Sequence, residues 1–198
     1  MIEGRESQIR LQCWWGRVLL LASAVILGLA SNASAQVFLE PQEAIEKLMP
    51  EAENHVTDSK EPTPELKKRL EEALGRRMEE KRYIFIIGMK QGKHTAYAVV
   101  LNVIGKERPI TFMIVVNPDG AVRAVEVLVY RESQGSEIRD PRFMRQFQGK
   151  TARSQLRAGH DIDVITGATL SSRSAAYAVK KALALVDLFY EIRAPENS

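Results

Sequence analysis

The 198-residue sequence contains one cysteine, Cys13, and this scarcity excludes several classes of redox protein. A single cysteine cannot form a disulfide within the chain, ligate an iron–sulfur cluster or attach haem through a Cys-x-x-Cys-His motif. Cys13 also lies before the apolar N-terminal run, whereas the cysteine of a lipoprotein follows such a run. Any redox cofactor must therefore be held by other residue types.

The sequence also lacks a marked charge of either sign. Its 28 Lys and Arg residues and 25 Asp and Glu residues are interleaved and leave a net charge of +3. Composition therefore gives no support to nucleic-acid binding. The sequence has neither a Gly-x-Gly-x-x-Gly fingerprint for dinucleotides nor a Gly-x-Ser-x-Gly elbow for a serine hydrolase. His160, with Asp161 and Asp163, supplies one imidazole, which is too little to indicate a zinc or iron site.

Residues 1–35 have the composition of an export signal. A basic leader precedes an apolar run from Val18 to Ala30, and Ala33–Ala35 offers an Ala-x-Ala cleavage site. The run is shorter than the ~20 residues needed to cross a bilayer, which favours cleavage. The alternative is an uncleaved anchor with Trp14 and Trp15 at the membrane interface. Both interpretations place the rest of the chain outside the cytoplasm, in the periplasm or on the outer face of the membrane.

The length and the 45% hydrophobic content suit one buried core, with an N-terminal helical segment at 36–81 and a domain core at 82–198. Pro41–Met49 predicts a short amphipathic helix. Thr63 and Pro64 predict the start of a second helix, which Gly75 ends. The charge-rich stretches on either side of that second helix are predicted to be an exposed connection (51–61) and a solvated helix end (76–82).

Four β-rich segments joined by short turns follow. They are Tyr83–Ile87, Thr95–Ile104, Ile110–Val116 and Ala121–Tyr130, the last with Val125, Val127 and Val129 on one face. Parallel strands would need crossover helices for which these turns are too short, so the segments predict an antiparallel sheet. A short helix at 139–147 and a long Ala-rich helix at 170–189 complete an α+β fold, in which the sheet packs against helices. Lys181 is predicted on the polar side of the long helix.

The stretch from Asp163 to Ser172 carries the chemistry of the sequence. Val164-Ile165 can finish a strand, two small residues make a loop, and hydroxyl residues stand where the long helix begins. A helix start favours anions, because its first N–H groups lack internal partners and carry the positive end of the dipole. The simpler alternative is that Thr169 or Ser171 only caps the helix.

This stretch resembles the flavinylation signature of the FMN-binding domain family, Asp-x-x-(Ser/Thr)-Gly-Ala-Thr-x-(Ser/Thr)-(Ser/Thr). The family includes the flavin subunits of the Rnf electron-transport complex and of the sodium-pumping quinone reductase. The resemblance implies that FMN is joined through a phosphoester to Thr169. The positions that match the signature are Asp163, Thr166, Gly167, Ala168, Thr169, Ser171 and Ser172.

A Thr hydroxyl is a poor nucleophile without a base or a metal, and no such apparatus surrounds Thr169 in the sequence. The residues thus indicate a separate modifying enzyme. The resemblance implies a magnesium-dependent transferase that moves FMN from FAD onto the threonine. Gly167 and Ala168 would let that enzyme approach closely, and Ser171 and Ser172 are expected to add donors to the phosphate.

A second, partial match is to the family's Glu-Thr-Pro-Gly loop, which lies near the flavin ring in relatives. Glu132 and Gly135 agree with it, whereas Gln134 replaces the proline. The alternative for these residues is a charged surface turn. Relatives also share a Phe-x-Gly-Lys ending, matched here by Phe147, Gly149 and Lys150. The resemblance allows Lys150 to lie near the flavin or its phosphate, whereas a solvent-facing side chain is the simpler expectation.

The sequence and the resemblance together predict an exported electron-transfer flavoprotein. Its partners would be the flavin transferase and membrane-bound redox proteins. No residues are arranged as a substrate acid or base, so an electron carrier is favoured over an independent enzyme. The alternative is a flavin-free exported binding or assembly domain in which the hydroxyl cluster only caps the last helix.

Overall fold

A six-stranded antiparallel sheet organises the computed structural model, which describes residues 36–192. The order of strands across the sheet is β1-β6-β5-β4-β3-β2. The strands are β1 (Gln36–Val37), β2 (Asn54–Lys60), β3 (Tyr83–Lys90), β4 (Lys93–Ile104), β5 (Pro109–Val116) and β6 (Val122–Tyr130). The helices are α1 (Pro41–Leu48), α2 (Pro64–Leu74), α3 (Pro141–Arg145) and α4 (Thr169–Tyr190), and a 3₁₀ turn spans Ser136–Arg139. The predicted α+β fold with an antiparallel sheet and a long last helix is confirmed.

The predicted signal or anchor at 1–35 lies outside the described residues. Within 36–192, no helix is both long enough and apolar enough to cross a membrane.

Strand β2 contradicts the prediction of an exposed connection at 51–61. Its seven residues pair in continuous register with β3, from Asn54 opposite Met89 to Lys60 opposite Tyr83. Most of its side chains are nevertheless exposed. A strand at the edge of a sheet is held by its backbone hydrogen bonds and can carry polar side chains, so composition did not reveal it.

The two faces of the sheet are covered unequally. Helices α2, α3 and α4 pack on one face, which we call the α4 side, and α1 packs on the other, which we call the α1 side. On the α1 side the buried residues are Ala44, Ile45, Met49, Ala96, Ala98, Met113, Val115 and Leu128. The larger core lies on the α4 side and contains Phe85, Phe112, Phe147 and most of the buried face of α4.

Strand β6 contains irregularities that decide which way its side chains point. Thr111 pairs with Val129 but Phe112 pairs with Val127, so Leu128 is an extra residue in the strand. Such a bulge reverses the alternation of faces beyond it. Val127 therefore packs on the α4 side and Leu128 on the α1 side, and Tyr130 returns to the α4 side. The prediction that Val129 shares a face with Val127 is wrong, because Val129 packs on the α1 side.

The helix predicted at 139–147 is divided. A 3₁₀ turn ends at Arg139, and α3 then begins at Pro141, with the Asp140 carboxylate accepting a hydrogen bond from Arg142 N at 2.7 Å. Proline is suited to the first helical position because it has no N–H to satisfy. The three apolar residues predicted to face the core are all buried: Phe143, Met144 and Phe147.

Helix α4 approaches the sheet closely because its buried face contains small residues. Ala175, Ala178 and Ala182 are fully buried. Lys181 does not lie on the polar side as predicted; it is 4% exposed and forms an ion pair with Glu80. The prediction of a solvated helix end at 76–82 is also wrong. Helix α2 stops at Leu74, and Met78 in the segment after it is buried with 3% exposure.

Ala175→Leu should lower the free energy of unfolding by about 1–3 kcal/mol, because the added methylenes have no space between α4 and the sheet. Ala73→Leu, at an exposed position of α2, is the matched control and should change it by less than about 0.5 kcal/mol. Urea unfolding of both variants measures the difference. Equal effects would show that the packing of α4 on the sheet is not tight.

Candidate functional site

The hydroxyl-rich stretch forms an irregular turn that leads directly into α4. Ala168 N donates to Ile165 O at 3.0 Å, and Gly167 has a φ of +84°, a conformation that glycine adopts without strain. Ala168 is the N-cap, and Thr169 is the first residue of the 22-residue helix. The methyl side chain of Ala168 cannot cap the first N–H groups of α4, so these groups have no side-chain partner from that residue.

The predicted strand at Val164-Ile165 is wrong, since this segment has no strand structure. Its backbone N–H groups bond to side chains instead of to a neighbouring strand. Asp163 N donates to Gln146 Oε1 at 2.7 Å, and Ile165 N donates to Ser172 Oγ at 3.2 Å. Two side chains thus hold the turn in place.

The serine hydroxyls of the first two turns of α4 are buried and bonded to the protein. Ser172 is fully buried, and its Oγ donates to Ala168 O at 2.9 Å. Ser174 donates to Ile104 O at 2.7 Å. Ser171 is 4% exposed, with its Oγ 3.0 Å from Tyr130 Oη. In the part of the chain that the structure describes, no such partner engages the half-buried Thr169 hydroxyl.

The loop that follows β6 packs against this turn. Gly135 is buried with a φ of +91°, and a Cβ added to it would lie 2.8 Å from Ser171 Oγ and 3.4 Å from Ala168 Cβ. The same Cβ would lie 2.7 Å from Tyr130 Oη. The structure therefore brings together the two segments that the resemblance assigned to one flavin site, although more than 30 residues separate them in sequence.

Glu132 bonds to the turn between β4 and β5. Its Oε1 accepts hydrogen bonds from Glu107 N at 2.7 Å and from Arg108 N at 2.9 Å. Burial acts to raise the pKa of this carboxyl, but the hydrogen bonds from the two N–H groups outweigh it and lower the pKa below its ordinary value. Gly105 packs closely beside it, because a Cβ there would lie 2.6 Å from the same oxygen.

The outer side of the turn is open to solvent. Asp163 and Thr166 are exposed, and Asp163 borders a shallow groove of about 340 Å³. Val164, Ile165 and Phe143 give the groove an apolar part, and Glu137 and Asp140 add acidic groups. The groove therefore offers both apolar and polar contacts beside the start of α4.

Lys150 and Asp161 organise the approach to the turn. Lys150 Nζ lies 3.3 Å from Asp161 Oδ2, and both side chains are about three-quarters buried, so Lys150 is not the solvent-facing residue that was expected. The Asp161 carboxylate also accepts hydrogen bonds from Leu156 N at 3.1 Å and Arg157 N at 2.7 Å. His160 is exposed. Within 36–192, no three His, Cys, Asp or Glu side chains are grouped so that they could hold a metal ion.

Two residues that position this site were not predicted from the sequence. Gln146 donates to Asp163 O at 3.3 Å in addition to accepting from Asp163 N, so one amide group pairs with both backbone groups. Its signal was a lone amide among buried apolar residues of a short helix. Tyr130 lies directly before the Glu132 loop, and it packs on the α4 side because of the bulge in β6, which has no clear sequence signal.

This geometry agrees with the comparison to protein families. Residues 105–184 match the model of the FMN-binding domain family, and this range includes both the Gly135 loop and the turn before α4. The match agrees with the resemblance stated from the flavinylation signature, and it covers 80 of the 198 residues.

Two solved structures are similar to most of the chain. One is NqrC from Shewanella oneidensis, with a TM-score of 0.47, 17% identity, and coverage of 81% of this chain and 80% of that chain. The other is a subunit of the Na⁺-translocating NADH-quinone reductase from Parabacteroides distasonis, with a TM-score of 0.47, 15% identity, and coverage of 80% of this chain and 86% of that chain. A comparison with curated protein sequences gave no match.

Gly135→Ala should destabilise the protein more than Gly149→Ala. Both glycines have positive φ, so each substitution carries a backbone cost of about 1–2 kcal/mol. Only the Cβ at position 135 meets other atoms, since nothing lies within 4 Å of the corresponding position at Gly149. The extra loss at Gly135 should be about 1–3 kcal/mol in the free energy of unfolding. Equal losses in chemical denaturation would show that the loop does not press on the turn.

Glu132→Gln should lower the stability at neutral pH, because the neutral amide accepts the two N–H bonds less strongly than the carboxylate does. The lowered pKa means that the carboxylate stabilises the fold above its ordinary pKa and loses this effect as the pH falls through the lowered pKa. The difference in unfolding free energy between wild type and variant should therefore shrink from neutral pH to about pH 3. A difference that stays constant across this range would contradict the assignment.

Proposed function

We propose that this chain is an exported electron-transfer flavoprotein whose FMN is joined through a phosphoester to the hydroxyl of Thr169. The observation that carries the proposal is the contrast among the hydroxyls at the start of α4. The buried serines each bond to another protein group, whereas the Thr169 hydroxyl is half-buried and has no such bond within 36–192. Thr169 is also the threonine of the Gly-Ala-Thr triplet in the family signature.

The surroundings of Thr169 suit a phosphate. The 22-residue helix begins at this residue, so its first N–H groups and the positive end of its dipole lie there. Ala168 has no polar side chain to compete for those groups. The space beside Gly167 is open, with nothing within 4 Å of where a Cβ would be. The hydroxyls of Ser171 and Ser172 bond to Tyr130 and to the turn itself. Their role as donors to the phosphate stays a prediction.

The attachment step needs a separate enzyme. In the proposed step the Thr169 Oγ attacks the phosphorus of the FMN half of FAD, the pyrophosphate bond breaks, and AMP leaves. The hydroxyl proton must go to a base, and within 36–192 no basic side chain is hydrogen-bonded to the Thr169 hydroxyl to accept it. A magnesium-dependent flavin transferase would supply the base and the metal. The exposed side of the turn, with Asp163 and Thr166, is accessible to such an enzyme.

A covalent link suits an electron carrier outside the cytoplasm. When bound, FMN supplies transfer of one or two electrons, and the protein supplies its position and surroundings. Tethering prevents loss of the cofactor where no FMN pool replaces it. The N-terminal composition supports export, and membrane-bound redox proteins are the proposed partners.

The alternative, a flavin-free domain whose hydroxyl cluster caps α4, is not favoured by the geometry. Ser171 Oγ pairs with Tyr130, and Ser172 Oγ accepts from Ile165 N and donates back to Ala168 O. Neither serine accepts a hydrogen bond from the first turn of the helix in the described structure. The hydroxyls of Ser171 and Ser172 therefore do not cap α4.

Thr169→Val should abolish the covalent flavin while keeping the fold, because it removes the hydroxyl at nearly constant volume. Full-length protein is coexpressed with a flavin transferase, with export intact, and intact-mass spectrometry after denaturation measures the flavin. Wild type should gain the mass of one FMN less one water. Thr57→Val, at an exposed position of β2, is the matched control and should gain the same mass.

Circular dichroism should show that Thr169→Val remains folded. A flavin mass that persists in this variant would place the linkage on another residue. A wild-type protein without added mass, under conditions in which the transferase modifies a known substrate, would reject the proposed linkage.

A further inference from the structure

The hydroxyl of Tyr130 joins the Gly135 loop to the start of α4. Tyr130 is 1% exposed, its Oη donates to Gln134 O at 2.5 Å, and the same oxygen lies 3.0 Å from Ser171 Oγ. A phenol has one proton to donate. Because that proton goes to the carbonyl of Gln134, which has no proton of its own, the Ser171 hydroxyl must be the donor in the second hydrogen bond. The result is a directed chain from Ser171 through Tyr130 to the loop.

The bulge in β6 is what makes this chain possible. Without Leu128 as an extra residue, regular alternation from Val127 would turn Tyr130 to the α1 side of the sheet. With it, the ring of Tyr130 belongs to the α4 core, and its hydroxyl meets Ser171. The irregularity of the strand thus has a specific consequence at the site.

The Gly135 loop packs closely against Tyr130 and the start of α4. The position of a Cβ on Gly135 would be 2.7 Å from Tyr130 Oη, and 3.4 Å from the Cβ of Ala168, the residue directly before Thr169. A shift of the loop would therefore change what lies beside the proposed attachment point. Burial raises the pKa of Tyr130, with Glu132 and Glu137 adding to the effect against the hydrogen bond from Ser171. The hydroxyl thus keeps its proton at physiological pH.

We infer that Tyr130 is a positioning residue, whose hydroxyl fixes the 132–136 loop relative to Thr169 and thereby sets the surroundings of the flavin ring. The inference rests on the proposed function, since it requires flavin on Thr169. Tyr130 does not need to touch the flavin. It acts through the backbone of the loop, where Gln134 O accepts the hydrogen bond from Tyr130 Oη.

The test compares Tyr130→Phe with Tyr97→Phe in full-length, flavin-loaded protein. Tyr97 is a matched control, because it is also buried and its hydroxyl also makes one side-chain hydrogen bond, at 2.8 Å to His94 Nδ1. Its ring centroid is 4.6 Å from that of Tyr190, at the opposite end of α4, about 30 Å along the helix from Thr169. Loss of its hydroxyl should affect stability without affecting the site.

Three quantities are measured on each variant: the covalent flavin mass, the midpoint potential of the flavin, and the Stern–Volmer constant for quenching of flavin fluorescence by iodide. We expect Tyr130→Phe to keep the flavin mass, to shift the midpoint potential and to raise the quenching constant by at least about twofold. Tyr97→Phe should match wild type in all three. A Tyr130→Phe protein with the wild-type potential and quenching constant would overturn the inference.

Ser171→Ala tests the same hydrogen bond if Tyr130→Phe fails to fold. It removes the donor to Tyr130 and should shift the potential in the same direction. Ser174→Ala is its control, since Ser174 is a buried serine one turn along with bonds to Ile104 O and Leu170 O instead. Equal shifts in both serine variants would also overturn the inference. A wild-type protein that carries no flavin would contradict the proposed function, a result that the mass measurement separates from the others.

Discussion

The close contact between Gly135 and the first turn of α4 is the constraint on which the site depends. It requires a residue without a Cβ at position 135, a small residue at 168 and a hydroxyl from Tyr130 in between. Tyr130 and Gly135 lie more than 30 residues before Ala168 in sequence. They meet because β6 ends on the α4 side of the sheet and because α4 packs closely enough for its first turn to reach the loop.

Close packing on the sheet and one ion pair hold α4 in place. Fully buried alanines bring α4 against the strands, and the ion pair of the buried Lys181 with the partly exposed Glu80 connects the middle of the helix to the segment after α2. Breaking such a pair leaves an uncompensated buried charge, so it fixes the helix in one arrangement. A cofactor tethered at the first residue of α4 would therefore be attached to a long helix that is packed on the sheet.

Several elements could be predicted because their signals are local. Proline and glycine bounded α2, β-branched residues joined by tight turns gave the central hairpins, and the Ala-rich pattern gave α4. Three other features depended on partners distant in sequence. The polar strand β2 exists because β3 offers it a backbone edge, the turn at 163–165 is irregular because Gln146 and Ser172 take its N–H groups, and Lys181 is buried because Glu80 lies opposite.

The sequence by itself determined the residues of the turn before α4, the family match and the order of the hairpins, since each is encoded by neighbours along the chain. Only the tertiary structure decided which hydroxyls are engaged and which is not. Ser171 and Ser172 look equivalent to Thr169 in a linear motif, yet their partners come from β6 and from the preceding turn. A hydrogen bond depends on distance and direction in three dimensions, and neither is fixed by spacing along the chain.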